Sequence, residues 1–337
     1  DDRVKYSSLA LADMSQAYAN LSLVLDNGSL YVAPDATDRP MTVPGNVTVN
    51  LTAKGGEDLN GGADLFTIAG RVNVKADETG ATPVTAATFS KVAVSGTAEK
   101  GAVLNLENVR ATAAELSIEN GSVLLAGGEA SLSVEDLTNH GAIEGADASL
   151  AVTGTLENAD GRITIRKLTA ANGSDANIEG LKDLTVLAAG EGKGFKTGSS
   201  HTLEALQLEK GAKLTAAAEL SAAQLENAGT LDAATLTVTN GTSANGSLKA
   251  DVLNVSGEFT LGARTDVKKA AVTAGGTLRA GALDLTELDV AQAAKLEASS
   301  LAVASGADNG EGTLGALRVK ADGSGFALGR DRTIADV

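Results

Sequence analysis

Residues 225–255 read LENAGTLDAATLTVTNGTSANGSLKADVLNV, and this stretch decides the fold class. Aliphatic residues alternate with small polar ones in it, as in Leu236 and Val238 and again in Leu253 and Val255. A spacing of two residues is that of a short β-strand with one buried face. Asn-Gly pairs separate these strands, as turn residues do.

The same unit recurs along the chain. The segment 225–231, LENAGTL, is echoed by LTNHGAI at 137–143 and by LENADGRI at 156–163. Leucines that align with Leu231, which lies two residues after the glycine of its unit, recur every 17 residues in one series and every 18 in another: Leu214, Leu231 and Leu248, then Leu278, Leu296 and Leu314. Short strands at this period, joined by tight turns, predict an all-β parallel β-helix, a solenoid with coils of about 17–20 residues.

The composition agrees with a thin core of small layers. Of 337 residues, 43% are hydrophobic but only 2% are aromatic, whereas a compact globule usually fills its centre with large rings. With 27 basic and 43 acidic residues the net charge is −16, which argues against nucleic acid as a partner. The lack of cysteine excludes disulfide scaffolds, thiolate metal sites and cysteine nucleophiles. No apolar run approaches the roughly 20 residues that span a bilayer.

The first ninety residues differ from the rest, since they contain all four prolines, and proline suits strand edges, turns and caps. We therefore predict a cap or docking segment over 1–45, with a short helix near Ser8–Ala19. The parallel β-helix is predicted over 46–337, most regular from about residue 90. The glycine-rich stretch Ala188–Ser200 is predicted to be a loop that leaves the coil.

Few residues are candidates for chemistry. His140 and His201 are the only histidines, and neither has a second ligand at metal-binding spacing, so both are predicted to be solvated turn residues. The glycine-rich loop supplies the binding-loop candidates Lys193, Phe195, Lys196 and His201. Asp64, in the turn-and-strand segment 62–68, is a candidate calcium ligand because one copy of a β-roll-like half-repeat surrounds it. No catalytic residue and no other cofactor or metal is predicted.

The L-x-N-x-G-x-[LI] units and the L-x-V strands over about 90–320 resemble the passenger domains of Gram-negative autotransporter adhesins and the filamentous-haemagglutinin type of exoprotein. The resemblance implies a right-handed β-helix that is secreted or displayed on the outer surface of the cell. The absence of cysteine agrees with such a passenger. Because the chain opens at Asp1 with no signal peptide, we expect a processed or excised segment that meets a membrane only through an anchor or translocator outside it.

The function expected from this resemblance is a structural or adhesive rod. Its partner would be a receptor on a host or neighbouring cell, or another copy of itself. Three alternatives stay open: a tailspike-like polysaccharide lyase or hydrolase, a self-assembling filament or surface-layer subunit, and a calcium-dependent passenger. The rarity of aromatic residues weighs against the enzyme, because sugar-binding grooves are commonly lined by rings that stack on the sugar.

Overall fold

The computed structural model describes residues 20–25, 30–31, 41–53, 59–61, 65–76, 87–97, 100–321, 323–330 and 334–336. These residues form strands, turns and bends, and none of them lies in a helix. No helix long and apolar enough to cross a membrane occurs in this described part of the chain. The helix predicted near Ser8–Ala19 and the calcium candidate Asp64 both lie outside the described residues.

The chain divides into two compact units. The first comprises Asp1–Ala170 and Ala176–Leu181, and the second comprises Ala171–Asp175 and Lys182–Val337. In each unit the strands stack in parallel, coil upon coil, as a β-solenoid. The described chain makes about 12 turns with coils of about 18 residues, which confirms the predicted fold class.

The strands of the first unit are β1 Asn20–Leu25, β2 Leu30–Tyr31, β3 Met41–Val43, β4 Thr48–Ala53, β5 Leu59–Gly61, β6 Phe66–Ile68, β7 Arg71–Ala76, β8 Ala87–Val94, β9 Val103–Glu107, β10 Arg110–Ile118, β11 Val123–Gly127, β12 Ser131–Asn139, β13 Ala142–Glu157, β14 Arg162–Ser174, whose last residues belong to the second unit, and β15 Ile178–Glu179. The first of them, β1, pairs in parallel with β4, so the ladder already includes residues within the segment predicted as a cap.

The strands of the second unit are β16 Asp183–Val186, β17 Phe195–Thr197, β18 His201–Leu208, β19 Lys213–Asn227, β20 Thr230–Ser243, β21 Ser247–Val255, β22 Glu258–Leu261, β23 Arg264–Val272, β24 Thr277–Val290, β25 Lys295–Asp308, β26 Leu314–Val319, β27 Gly325–Leu328 and β28 Ile334–Asp336. Long strands such as β20 turn a corner of the coil. Its first part pairs with β21 and its last three residues pair with β22.

The core of the first unit consists of aliphatic ladders. One of them runs through β4, β7, β9, β11 and β13, and all of its members are buried: Val49, Val72, Leu104, Leu124 and Ile143. Successive members are one strand spacing apart, about 4.8 Å, so each side chain packs on the one above and the one below. The alternation of aliphatic and polar residues sends every second side chain into this core.

The second unit is built in the same way, and it shows where the predicted leucine series holds. Leu214 pairs with Leu231 and Leu231 with Leu248, as the 17-residue spacing predicts. Leu278 pairs with Leu296, but Leu314 pairs with Ala298, so the last step of the second series was wrong. The two series lie on different strands of the coil, since the residue paired with Leu248 on the next coil is Thr265.

The repeated asparagine is an internal residue, although its motif reads as a surface turn. Asn139, Asn158 and Asn227 are all buried. The amide nitrogen of Asn139 donates to the Asn158 Oδ1 (2.6 Å) and to the Arg162 carbonyl oxygen (3.2 Å). Asn227 donates to the Ser243 Oγ (2.8 Å) and accepts the Gly229 N–H (3.0 Å). These carboxamides satisfy backbone and side-chain groups at a corner of the coil that water does not reach.

Candidate functional site

The glycine-rich stretch Ala188–Ser200, here called the 188–200 segment, is part exposed loop and part strand. Ala188 forms an isolated antiparallel bridge with Ala212, and the Lys193 N–H donates to the Gly190 carbonyl (3.1 Å) in an exposed turn. The chain then rejoins the ladder as β17, where Phe195 pairs with Gly173 on one side and Leu214 on the other. The loop predicted here therefore spans only about half of the stretch.

The structure does not bring the four binding-loop candidates together on one surface. Lys193 and Lys196 are exposed, on the turn and on the outer side of β17. Phe195 points the other way and is 0% exposed, because it fills the core beside Leu214. Its ring is packing material and is unavailable to a ligand.

His201 corrects the prediction of a solvated turn residue, since its side chain is only 8% exposed. It occupies the first position of β18 and pairs with Leu220, whose ladder continues through Leu236 and Leu253. The His201 side chain therefore points into the coil, at the position where the following coils have a buried leucine. The sequence pattern hid this because the preceding glycines and serines read as an exposed loop.

Asp175, which the sequence reasoning missed, holds the imidazole. Its side chain is 2% exposed, and its Oδ2 lies 2.5 Å from the His201 Nε2. The Gly198 N–H donates to Oδ1 (2.7 Å) and the Ser199 N–H donates to Oδ2 (3.1 Å). The repeat offered one signal, because Asp175 follows the repeated Asn158 by 17 residues, one coil.

The pKa of Asp175 reflects opposing influences. Burial raises it, whereas the hydrogen bond with His201 and those from the Gly198 and Ser199 amides lower it, together with the charge of His201. The net pKa lies below the ordinary value of 3.8. The arrangement therefore favours an ionised carboxylate inside the unit. Hydrogen bonds donated to a carboxylate stabilise its charged form, and so they lower its pKa.

His140 lies on an exposed turn of the first unit, as predicted. Its side chain is 43% exposed, and its Nδ1 is 3.6 Å from the Asp160 Oδ2. Nearby, Arg162 donates to the Glu144 Oε1 (2.5 Å). His140, Asp160 and Arg162 border an open groove of about 480 Å³ on the turn side of the coils.

A second groove of the first unit, about 370 Å³, is bordered by Glu115 and Asp136, two carboxylates that already have partners. Glu115 forms an ion pair with Lys91 (2.7 Å), and Asp136 accepts the Thr155 N–H (2.7 Å). In the second unit an open groove of about 890 Å³ runs over small and aliphatic residues such as Ala282. Its border is crossed by the ion pair between Lys320 and Asp284.

Ion pairs on both units connect one coil to another rather than neighbours along the chain. In the second unit Lys268 lies 2.5 Å from Asp251, and Lys269 lies 2.6 Å from Glu287. Further pairs of this kind are Arg162–Glu144, Lys249–Asp232, Arg279–Glu258, Arg279–Glu297 and Arg330–Glu311. The hydrogen bonds in these pairs raise the pKa of Lys268, Lys269 and Arg279 and lower that of Asp251.

Within the described part of the chain, no three His, Asp or Glu side chains come together in a way that could hold a metal ion. The calcium site predicted at Asp64 stays a prediction, since that residue is not among those described. Comparison of the chain with protein-family models, with curated proteins and with solved structures found no match. The β-solenoid fold is shown, whereas the resemblance to autotransporter passengers stays a prediction from the repeat units.

Proposed function

We propose that this chain is a structural or adhesive β-helical element, secreted or displayed on the outer surface of a Gram-negative cell. Its partner would be a receptor on a host or neighbouring cell, or a second copy of the chain. The β-helix fold is compatible with this role and also with polysaccharide processing. The choice between them rests on how the ionisable side chains are used.

The observation that carries the proposal is the set of ion pairs between coils. Active sites gather groups with perturbed pKa values in a cleft. Here the shifted groups on the surface, Asp251, Lys268, Lys269 and Arg279, owe their shifts to partners on an adjacent coil. Asp175 is shifted too, but its carboxylate is buried and already bonded to three donors. Charges used in this way support a regular outer surface suited to broad contact.

Binding of protein-coated beads to cells tests the proposal. Beads that carry the chain through one terminus are mixed with epithelial cells and with Gram-negative bacteria, and bound beads are counted by flow cytometry. We expect binding that excess soluble chain competes away and that beads coated with acid-denatured chain lack. Static light scattering of the same protein measures association between copies.

A parallel assay addresses polysaccharide processing. The protein is incubated with a panel of acidic and neutral polysaccharides, and new reducing ends and unsaturated products are measured. Catalytic release of either product would replace the adhesive role by an enzymatic one. Failure of the beads to bind any cell, with no association between copies, would also overturn the proposal.

A further inference from the structure

His201 interrupts an otherwise aliphatic ladder. The positions paired with it on the following coils hold Leu220, Leu236 and Leu253, all buried. A buried imidazole is unfavourable unless its polar atoms have partners, because burial removes them from water. A leucine at this position would be enough for packing, so packing alone does not account for the histidine.

The partner of the histidine is also the attachment point of the 188–200 segment. Asp175 accepts hydrogen bonds from two successive backbone amides at the end of that segment, Gly198 (2.7 Å) and Ser199 (3.1 Å). Its third contact is the His201 Nε2 at 2.5 Å. Because an ionised carboxylate only accepts hydrogen bonds, this imidazole nitrogen is the donor. One buried carboxylate thus binds three donors that lie within four residues of one another, 198–201.

No other ionisable group competes for this carboxylate among the described residues. The charged side chains on the strands packed around the pair point away from the core at exposed or half-buried positions: Asp183 on β16, Lys196 on β17, Glu204 on β18, and Lys213, Glu219 and Glu226 on β19. On β14 itself the charged residues are Arg162, Arg166 and Lys167. The one charge that acts on Asp175 is that of His201.

We propose that Asp175 and His201 form an acid-sensitive clasp that holds residues 198–200, the end of the 188–200 segment, against the second unit and releases them when the carboxylate takes up a proton. All three partners of the carboxylate are hydrogen-bond donors. A proton added to Oδ1 or Oδ2 therefore lies opposite the hydrogen of a donor that is already bonded to that oxygen. The protonated carboxyl loses at least one of its three hydrogen bonds while it is still buried. An unsatisfied buried group of this kind favours local opening.

The direction of the pH dependence follows from the lowered pKa of Asp175. In the unfolded or opened segment this carboxyl has its ordinary pKa of 3.8. The clasp therefore contributes fully above about pH 4 and weakens as the pH falls through the lower pKa of the closed form. Phe195 anchors β17 independently of the carboxylate, so the expected change is release of residues 198–200 before loss of the core.

The natural chain has no cysteine, so single spin labels report on single sites. A label at Ser200→Cys, an exposed position next to the Ser199 amide, reads the residues that the clasp holds, and a label at Gln224→Cys on β19 reads the coil. Electron paramagnetic resonance spectra are recorded at low micromolar concentration from pH 7 to pH 2.5. We expect the label at 200 to become more mobile, reversibly, below about pH 4 while the mobility of the label at 224 does not change.

Two variants separate the clasp from general acid unfolding. Asp175→Asn mimics the neutral carboxyl, because its amide nitrogen faces the same donors, and we expect the label at 200 to be mobile at every pH. His201→Leu restores the residue of the neighbouring coils but removes one donor, and we expect release at a higher pH than in the natural chain. The second variant decides the matter if the first does not fold.

The proposal is overturned if the mobility of the label at 200 rises only together with that of the label at 224. It is equally overturned if His201→Leu releases the segment at the same pH as the natural chain. Neither outcome bears on adhesion, since the beads measure binding to cells and the spin labels measure local mobility of the chain. The clasp and the proposed function therefore fail or stand separately.

Discussion

Single buried polar atoms distinguish otherwise similar positions in these coils. Thr197 lies on β17 beside the clasp, its side chain is buried, and its Oγ1 has no hydrogen-bond partner. Ser122 in the first unit is equally buried, but its Oγ accepts the N–H groups of Gly96 (3.1 Å) and Ala102 (3.3 Å). The two hydroxyls look alike in the sequence and differ in what they do.

Thr197→Val is expected to leave stability unchanged or to raise it by about 1 kcal/mol, because it removes a buried group that bonds nothing and keeps the shape of the side chain. Ser122→Ala is the matched contrast and is expected to lower stability by about 1–3 kcal/mol, since two amides lose their acceptor. Urea unfolding followed by circular dichroism measures both. A larger loss for Thr197→Val than for Ser122→Ala would contradict this account.

At the scale of the coil, the glycine of the N-x-G motif is required by the distance between neighbouring turns. A Cβ atom on Gly229 would lie 2.5 Å from the Ala212 carbonyl oxygen and 2.7 Å from that of Glu209. The preceding asparagine, Asn227, accepts the N–H of the same glycine from inside the coil. The motif is therefore a corner at which the chain passes directly over the backbone of the coil beneath.

Gly229→Ala is expected to destabilise the protein by more than 1 kcal/mol, because the backbone of one coil has to move away from the other. Gly281→Ala, on β24, is the control: a Cβ there meets nothing within 4 Å, and φ is not in the left-handed region. That variant is expected to be neutral or to gain about 0.4–1 kcal/mol by restricting the unfolded chain. Thermal melts of the two variants compare them, and an equal effect would refute the corner argument.

At the scale of the whole molecule, charge dominates the behaviour in solution. The net charge of −16 at pH 7 and the isoelectric point of about 4.6 make copies repel one another near neutrality. Many of the charged side chains are also paired between coils, so the same groups serve the surface of each unit and the solubility of the chain.

Association between copies is expected to rise steeply as the pH approaches 4.6, where the net charge vanishes and repulsion is lost. Light scattering over pH 3 to 8 at constant ionic strength measures this, and added salt should flatten the dependence by screening. Scattering that is independent of pH across this range would contradict it. A specific interface between copies would instead persist at pH 7, which separates it from association at the isoelectric point.

The fold class could be predicted from the sequence, because alternation at a spacing of two and a coil period of 17 residues leave few ways to bury the aliphatic side chains. The step from Leu231 to Leu248 illustrates this, since each coil repeats the one before. The pairing register could not be predicted as well near Leu314. The 18-residue spacing predicts Leu296 as its partner, but the connection between the two strands has a different length and Leu314 pairs with Ala298. Local pattern does not specify how many residues a turn takes up.

The burial and the hydrogen-bond partners of the polar residues could be seen only in the tertiary structure. The sequence placed His201 after a glycine-rich loop and made it an exposed residue, whereas the ladder turns it inward beside Asp175, 26 residues earlier in the chain. It likewise placed Phe195 among binding residues, and the ladder buries it. Contacts between coils join residues that are distant in the chain, so hydrogen-bond partners emerge only when the coils are stacked.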